Sequence, residues 1–378
     1  MFEVTLKTLT PVHVGVSQEH WWQKGVDFFQ DGENIYVVKL DDIFKKLGKV
    51  DASDIDRLTA AMSRGDTALD NFSDYLVSQR NLDLKNIAYR KFHFKDPRMK
   101  ELRPVMSSGS DRTPMIPSSS IKGVIRTAFL DAQIEKNPHY AREQRNLGRK
   151  RGNRFRFSDR GLQNNYIGKD PKQDPFRFVR FSDFYFKSTE CNKVQILNLE
   201  RGDRWDYKRS QFTHLECLSP NQTALGSLRI PGFQIKYAES TKAVRHTRQL
   251  SAGNLCKIAN KLTNQLLDYE LAHWEDEEGA QATLNKGTRS YINKIQGLKQ
   301  EAETCEKNAC IIRVGGGSGW DFMTGGWAKD ELDDRAWEEL KGQLRKKRYN
   351  QEVPYPKTRK LTHEDMPMGF VKMVIREK

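Results

Sequence analysis

Long hydrophobic runs are missing from this 378-residue chain; the longest, such as Ile35-Tyr36-Val37-Val38, fall far below the ~18 residues a membrane span needs. Cysteine is scarce. Cys191, Cys217, Cys256, Cys305 and Cys310 include no CxxC pair, which argues against a zinc ribbon or a disulfide frame and fits a reducing, cytoplasmic setting. The eight histidines form no HxxxH or HxH cluster, so no metal and no cofactor is expected. No Ser-His-Asp or Cys-His arrangement stands out, and no repeat recurs at a short fixed period. The N-terminus carries no signal-peptide pattern, because Phe2, Val4 and Leu6 alternate with Glu3, Thr5 and Lys7 as in a half-buried strand. Acids are the minority: 50 Asp and Glu against 64 Lys and Arg leave a net charge of +14. A polyanion is the first partner this implies. At 43.8 kDa the chain is long enough for about two domains.

The pattern along the chain is α+β. After the first strand comes a hairpin, Val26–Gln30 and Ile35–Leu40 about the turn Asp31-Gly32, then a short helix over 41–48. Residues 51–85 are polar with helical spacing and read as a surface insertion. Ile121, Val124, Ile125, Ala128 and Phe129 recur at helical spacing behind Ser118-Ser119-Ser120. Phe176-Arg177-Phe178-Val179-Arg180-Phe181 alternates as a strand would. Val194–Leu199 and Leu228–Ile230 are further strands. Residues 251–274 form the strongest helix, with a stripe of Leu255, Ile258, Leu262, Leu266, Tyr269 and Trp274. A strand at Ile311–Val314, a helix over 330–345 and a strand at Met368–Ile375 close the chain. The strand–helix–strand–strand rhythm occurs about twice. It predicts two α+β sandwich domains, residues 1–225 with insertions near 51–110 and 135–170, and residues 226–378.

Four features carry candidate chemistry, each with a plainer reading beside it. Gly315-Gly316-Gly317-Ser318-Gly319 follows a strand and is either a tight turn or a backbone cradle for phosphate; no Gly-Lys-Ser/Thr makes it a P-loop. Arg313 before it and Trp320 after it suit an RNA grip. Ser118, Ser119 and Ser120 with Lys122 and Arg126 could hold phosphates at a helix start, or simply cap a helix whose bases face water. Residues 142–160 carry eight Arg or Lys, among them Arg149, Arg151 and Arg154, with Phe155 and Phe157 between them. Such a run is a solvated hairpin or a nucleic-acid contact. His13, beside Gly15 at the end of the first strand, is a structural residue, a phosphate contact or a general base.

Leu9-Thr10-Pro11-Val12-His13-Val14-Gly15, Ile116-Pro117-Ser118-Ser119-Ser120-Ile121-Lys122-Gly123-Val124-Ile125-Arg126 and Arg313-Val314-Gly315-Gly316-Gly317-Ser318-Gly319-Trp320 occur in that order. Together they resemble the repeat-associated mysterious proteins (RAMPs) of type III CRISPR–Cas systems. Length and the late Pro356-Lys357-Thr358-Arg359 are most similar to the fifth-subunit family of the type III-A (Csm) effector complex. The resemblance implies two ferredoxin-like (RRM-like) RAMP modules with insertions, and a non-catalytic subunit that caps a filament at the crRNA 3′ end. It implies crRNA and other Csm subunits as partners, chiefly the backbone RAMP subunit, with target RNA met indirectly. It also implies crRNA contact by Ser118, Ser119, Ser120, Lys122, Arg126, Gly315, Gly316, Gly317, Ser318 and Gly319, with His13 and Gly15 beside them. Lys357 and Arg359 join them as cations before the closing strand. Two other readings stay open: a metal-independent CRISPR endoribonuclease using His13, near His20 and Lys24, or a backbone RAMP subunit.

Overall fold

The alternation of the first residues is repeated at the far end of the chain, and the two segments pair. We describe a computed structural model covering residues 1–64, 75–109, 112–145, 147–151, 154–199, 205–274, 286–323, 325–345, 355–356 and 358–378. Its main unit runs β1 (Phe2–Thr8), α1 (Ser118–Lys136), β2 (Arg180–Phe181), β3 (Thr223–Arg229), α2 (Ala252–Ala272), β4 (Ala309–Arg313) and β5 (Phe370–Glu377). The sheet order is β2-β3-β1-β5-β4, every pair antiparallel. Leaving β4 at the edge aside, this is the βαββαβ order of a ferredoxin-like module.

Period 2 decides which side chains enter the core. Val4 and Leu6 of β1, Leu228 of β3, and Val371, Met373 and Ile375 of β5 face one side. Ile121, Ile125, Ala128 and Phe129 of α1 and Leu255, Cys256 and Ala259 of α2 cover it. Ser251 caps α2 through the Asn254 amide, as its place before the apolar stripe predicts. The boundary expected at 225/226 falls inside β3, and β1 at the start of the chain pairs with both β3 and β5, the latter in turn with β4. Both halves therefore build the same sheet.

A second sheet stands beside the first. Its long hairpin, Thr189–Leu199 with Trp205–Leu218, takes Thr358–Thr362 as an edge strand. The predicted hairpin forms with shifted bounds, Phe28–Asp31 with Asn34–Val37 about Gly32 at φ +57°. Leu40 opens the following helix instead of ending the strand, and Arg90–His93 adds a third strand. The segment read as a surface insertion buries Leu58, Leu76 and Leu84 against Phe29 and Ile43 in a small core of its own.

One strand assignment is corrected. Pro175–Phe178 is a 3₁₀ turn, and only Arg180–Phe181 pairs in the sheet. Asp174 accepts from the Phe176 amide and Pro175 opens the turn, so Phe176, Phe178 and Phe181 all reach the core without extended backbone. The basic run folds as a hairpin, Gly148–Arg151 with Arg154–Phe157.

Candidate nucleic-acid interface

Val12 and Leu218 exchange backbone hydrogen bonds at 3.1 and 2.8 Å, which seats His13 against the long hairpin. Gly369 donates to Pro11 and Val314 donates to Gly369, bringing in the end of β4. Gly316 then donates to the His13 carbonyl at 2.7 Å. Sequence positions 13 and 316 thus form one corner. Only glycine fits there: Gly315 has φ +78°, and a Cβ on it would lie 2.3 Å from the His13 carbonyl oxygen. Gly317 and Gly319 are also left-handed, at φ +89° and +78°.

His13 is buried. Its Nδ1 donates to the Glu216 carbonyl at 2.7 Å, which leaves Nε2 as the lone-pair nitrogen, packed against Gly15. Burial, with Arg103 and Lys360 nearby, lowers its pKa to about 4, so the ring is neutral at pH 7.

The corner opens on two adjoining clefts. One, of about 410 Å³, is lined by His13, Arg103, Phe212, Gly316, Gly317 and Lys360 among others. The other, of about 790 Å³, is lined by Lys208, the whole Gly315–Trp320 loop, Tyr355, Arg359 and Lys360. Gly316, Gly317 and Lys360 belong to both, so the clefts form one groove. Among the described residues no Asp or Glu lines it. The side chains of Lys208 and Lys360 hold no hydrogen bond or ion pair among the described residues, and Lys360 is exposed.

Two predicted RNA contacts turn out to be struts. Arg313 is buried; its Nε donates to the Met368 carbonyl at 2.9 Å and Nη2 to the Gly317 carbonyl at 3.1 Å. Its guanidinium also lies 4.7 Å from the ring centres of Phe322 and Phe370. Arg359 is buried under the loop, with Nε against both oxygens of Glu270 at 2.6 and 2.8 Å and Nη1 on the Pro356 carbonyl. Arg359, helped by a hydrogen bond from Tyr291, holds the Glu270 carboxyl down at about 2 against the cost of its burial. Both guanidiniums are spent on protein acceptors, which charge in the sequence does not reveal.

The serine start lies at the groove's flank. Met106 donates to the Val14 carbonyl and Met115 to the Met106 carbonyl, so Val14, Met106 and Met115 lie in adjacent rows. At ~4.8 Å per row, Met115 is about 10 Å from the His13 segment, and α1 starts three residues on. Asp183 already accepts from the Ser118 amide at 2.7 Å. Ser119 is exposed, while Ser118 and Ser120 are half-buried. Arg126 is engaged by Asp174 and Gln163, both at 2.9 Å. Lys122 has no such partner among the described residues; partial burial lowers its pKa.

Trp320 packs edge-on against Phe157 of the basic hairpin, 5.0 Å between ring centres, and against Tyr355. This joins the basic hairpin carrying Arg149, Arg151 and Arg154 to the groove. Phe155 and Phe157 pack on the cluster around Leu147 and Trp327, so they anchor the hairpin. Lys357 lies outside the described residues. Arg103, Lys208 and Lys360 escaped the sequence reading. For Lys360 a signal existed: it follows Arg359 on an edge strand, so one faces in and the other out.

Comparison with known proteins supports the fold at low identity. A chain in a Csm–crRNA–target RNA ternary complex of a type III-A CRISPR–Cas system matches with a TM-score of 0.71 and 18% identity, covering 100% of both chains. T. onnurineus Csm5 matches with a TM-score of 0.62 and 16% identity, over 97% of this chain and 99% of that one. A Methanocaldococcus jannaschii protein described as CRISPR system Cms protein Csm5 is 23% identical over 215 residues, 56% of this chain. That match spans about half, 47%, of the relative's own length. A family model for the RAMP superfamily matches residues 5–346, and the chain belongs to that superfamily.

Proposed function

We propose that this chain is a non-catalytic, crRNA-binding subunit of a type III-A Csm effector complex. In this reading it caps the filament at the crRNA 3′ end and supports maturation of that end, with the backbone RAMP subunit as its main protein neighbour. The observation that carries the reading is the groove along Gly315–Trp320, which among the described residues is lined by no acid and is edged by the ammoniums of Lys208 and Lys360 with no ion-pair partner. Phosphates are drawn to such a groove, and glycines let backbone approach them. The similarity to Csm5 of T. onnurineus and of M. jannaschii supports the choice of subunit.

His13 favours binding over RNA cleavage. A general base needs its free nitrogen within reach of a ribose hydroxyl, whereas Nε2 faces Gly15 and the ring sits beneath the loop. The test is photo-crosslinking of the assembled complex carrying 4-thiouridine-labelled crRNA. Crosslinks from the 3′ part of the crRNA to peptides holding Lys208, Gly315–Trp320 or Lys360 are expected. A single copy by native mass spectrometry is also expected. Crosslinks confined to other surfaces, or several copies per complex, would refute the cap.

A further inference from the structure

On the other side of Arg103 lies a second cleft of about 770 Å³, inside the ~300–1,000 Å³ range of ligand sites. Its walls are aromatic. The Arg103 guanidinium stacks 3.7 Å from the ring centre of Trp21, and Arg112 sits 4.3 Å from that of Tyr89. Trp22 meets Tyr89 edge-on at 6.2 Å. The cleft borders the motif corner, since Gly15 pairs with Val105 in its wall.

Its charge differs from that of the glycine groove. Lys39, Arg90 and Arg112 share its lining with Glu19, Asp27 and Asp41, three cations beside three carboxylates, and Arg90 is already ion-paired with the buried Glu216 behind the wall. A balanced lining repels phosphate as much as it attracts it. Carboxylates do accept hydrogen bonds from the amino edges of bases, and rings stack on any base. Arg103 touches both spaces: it lines the groove and stacks on a wall of the cleft.

We propose that this cleft receives an unstacked nucleobase of the same RNA strand whose phosphates run through the glycine groove, with Trp21 and Tyr89 as its stacking walls and Arg103 as the divide. This rests on the RNA-binding reading above.

The test uses the full chain and a single-stranded RNA carrying 4-thiouridine at successive positions. Wild-type protein should crosslink to a peptide containing Trp21 or Tyr89 from one narrow register, and to Lys360-containing peptides from neighbouring positions. Trp21→Ala should weaken RNA binding about 5- to 150-fold, the range for one lost base stack, while Trp21→Phe keeps most of the affinity. Thermal melting of each variant reports whether it folds; the wild-type crosslinks decide the matter if Trp21→Ala does not. If Lys208→Ala/Lys360→Ala loses RNA while Trp21→Ala binds as wild type and nothing maps to the cleft, the base site is wrong and the groove stands. If neither substitution changes binding, the RNA reading itself falls and the cleft proposal falls with it.

Discussion

Lys208 and Lys360 face the groove with no acidic partner among the described residues, whereas Arg126 and Arg359 are tied to Asp174 and Glu270. Salt dependence separates the two groups. Each phosphate contact on a single strand releases counterions and adds about 0.7 to the slope of log affinity against log salt. Replacing both lysines with alanine should therefore flatten the slope by about 1.4. Between 50 and 200 mM salt, a fourfold change, wild type should lose about sevenfold more affinity than the double variant. Arg126→Gln should leave the slope unchanged and lower the thermal midpoint. Fluorescence anisotropy with labelled single-stranded RNA at four or five salt concentrations measures this. An unchanged slope in the lysine variant, or a slope lowered by Arg126→Gln, would refute the division between contact and support.

Acid should weaken the corner through His13, whose folded pKa near 4 lies below the unfolded value of 6.5. The unfolded state then takes up a proton first as pH falls, so stability drops from about pH 6.5 towards 4, by about 2 kcal/mol between pH 7 and 5. His13→Gln, which can still donate to the Glu216 carbonyl, should flatten the melting profile over that range. Glu270→Gln should cost about 3–5 kcal/mol by leaving the Arg359 guanidinium buried and unpaired, read as a large fall in thermal midpoint. Because the Glu270 carboxyl is held at about 2, its contribution in wild type is present above pH 4.5 and lost as pH falls towards 2. Gly319→Ala should cost only the left-handed backbone, about 1–2 kcal/mol, since nothing lies within 4 Å of the new methyl. Gly315→Ala adds a clash with the His13 carbonyl and should melt lower still; equal midpoints for the two would contradict the close approach.

What could be read in the sequence depended on whether a pattern has one structural meaning. The alternation at Phe2–Lys7 does, because β1 has one face against α1 and α2. So does the apolar stripe of α2, with Ser251 as its cap. Alternation at Phe176–Phe181 does not, since a capped 3₁₀ turn also buries rings two residues apart. The motifs at 13 and 315 were each visible, but their junction is a tertiary fact carried by the Gly316–His13 hydrogen bond. Arg359 looked like an RNA contact because its partner, Glu270, lies 89 positions away. Lys208 belongs to no motif, and only the packing of the long hairpin brings it beside the loop.

The buried arginines explain how a segment with four glycines in five residues can be a binding surface at all. Such a loop loses much conformational entropy on ordering, and if that loss fell at the moment of RNA capture it would subtract from affinity. Arg313 moves it into folding: its planar head bridges the Met368 and Gly317 carbonyls, and Gly316 is pinned to His13. Bonds from a charged donor are worth about 1.5–3 kcal/mol each, enough to hold a short loop in one shape. Arg313→Gln retains at most one of the two bonds. It should weaken RNA binding severalfold with no change in salt slope, because the lost cation never met a phosphate. Hydrogen exchange at Gly315–Trp320 should quicken in the free protein and slow again with RNA bound. If the salt slope instead falls by about 0.7, the guanidinium reaches RNA, and the loop is ordered by its ligand rather than by the fold.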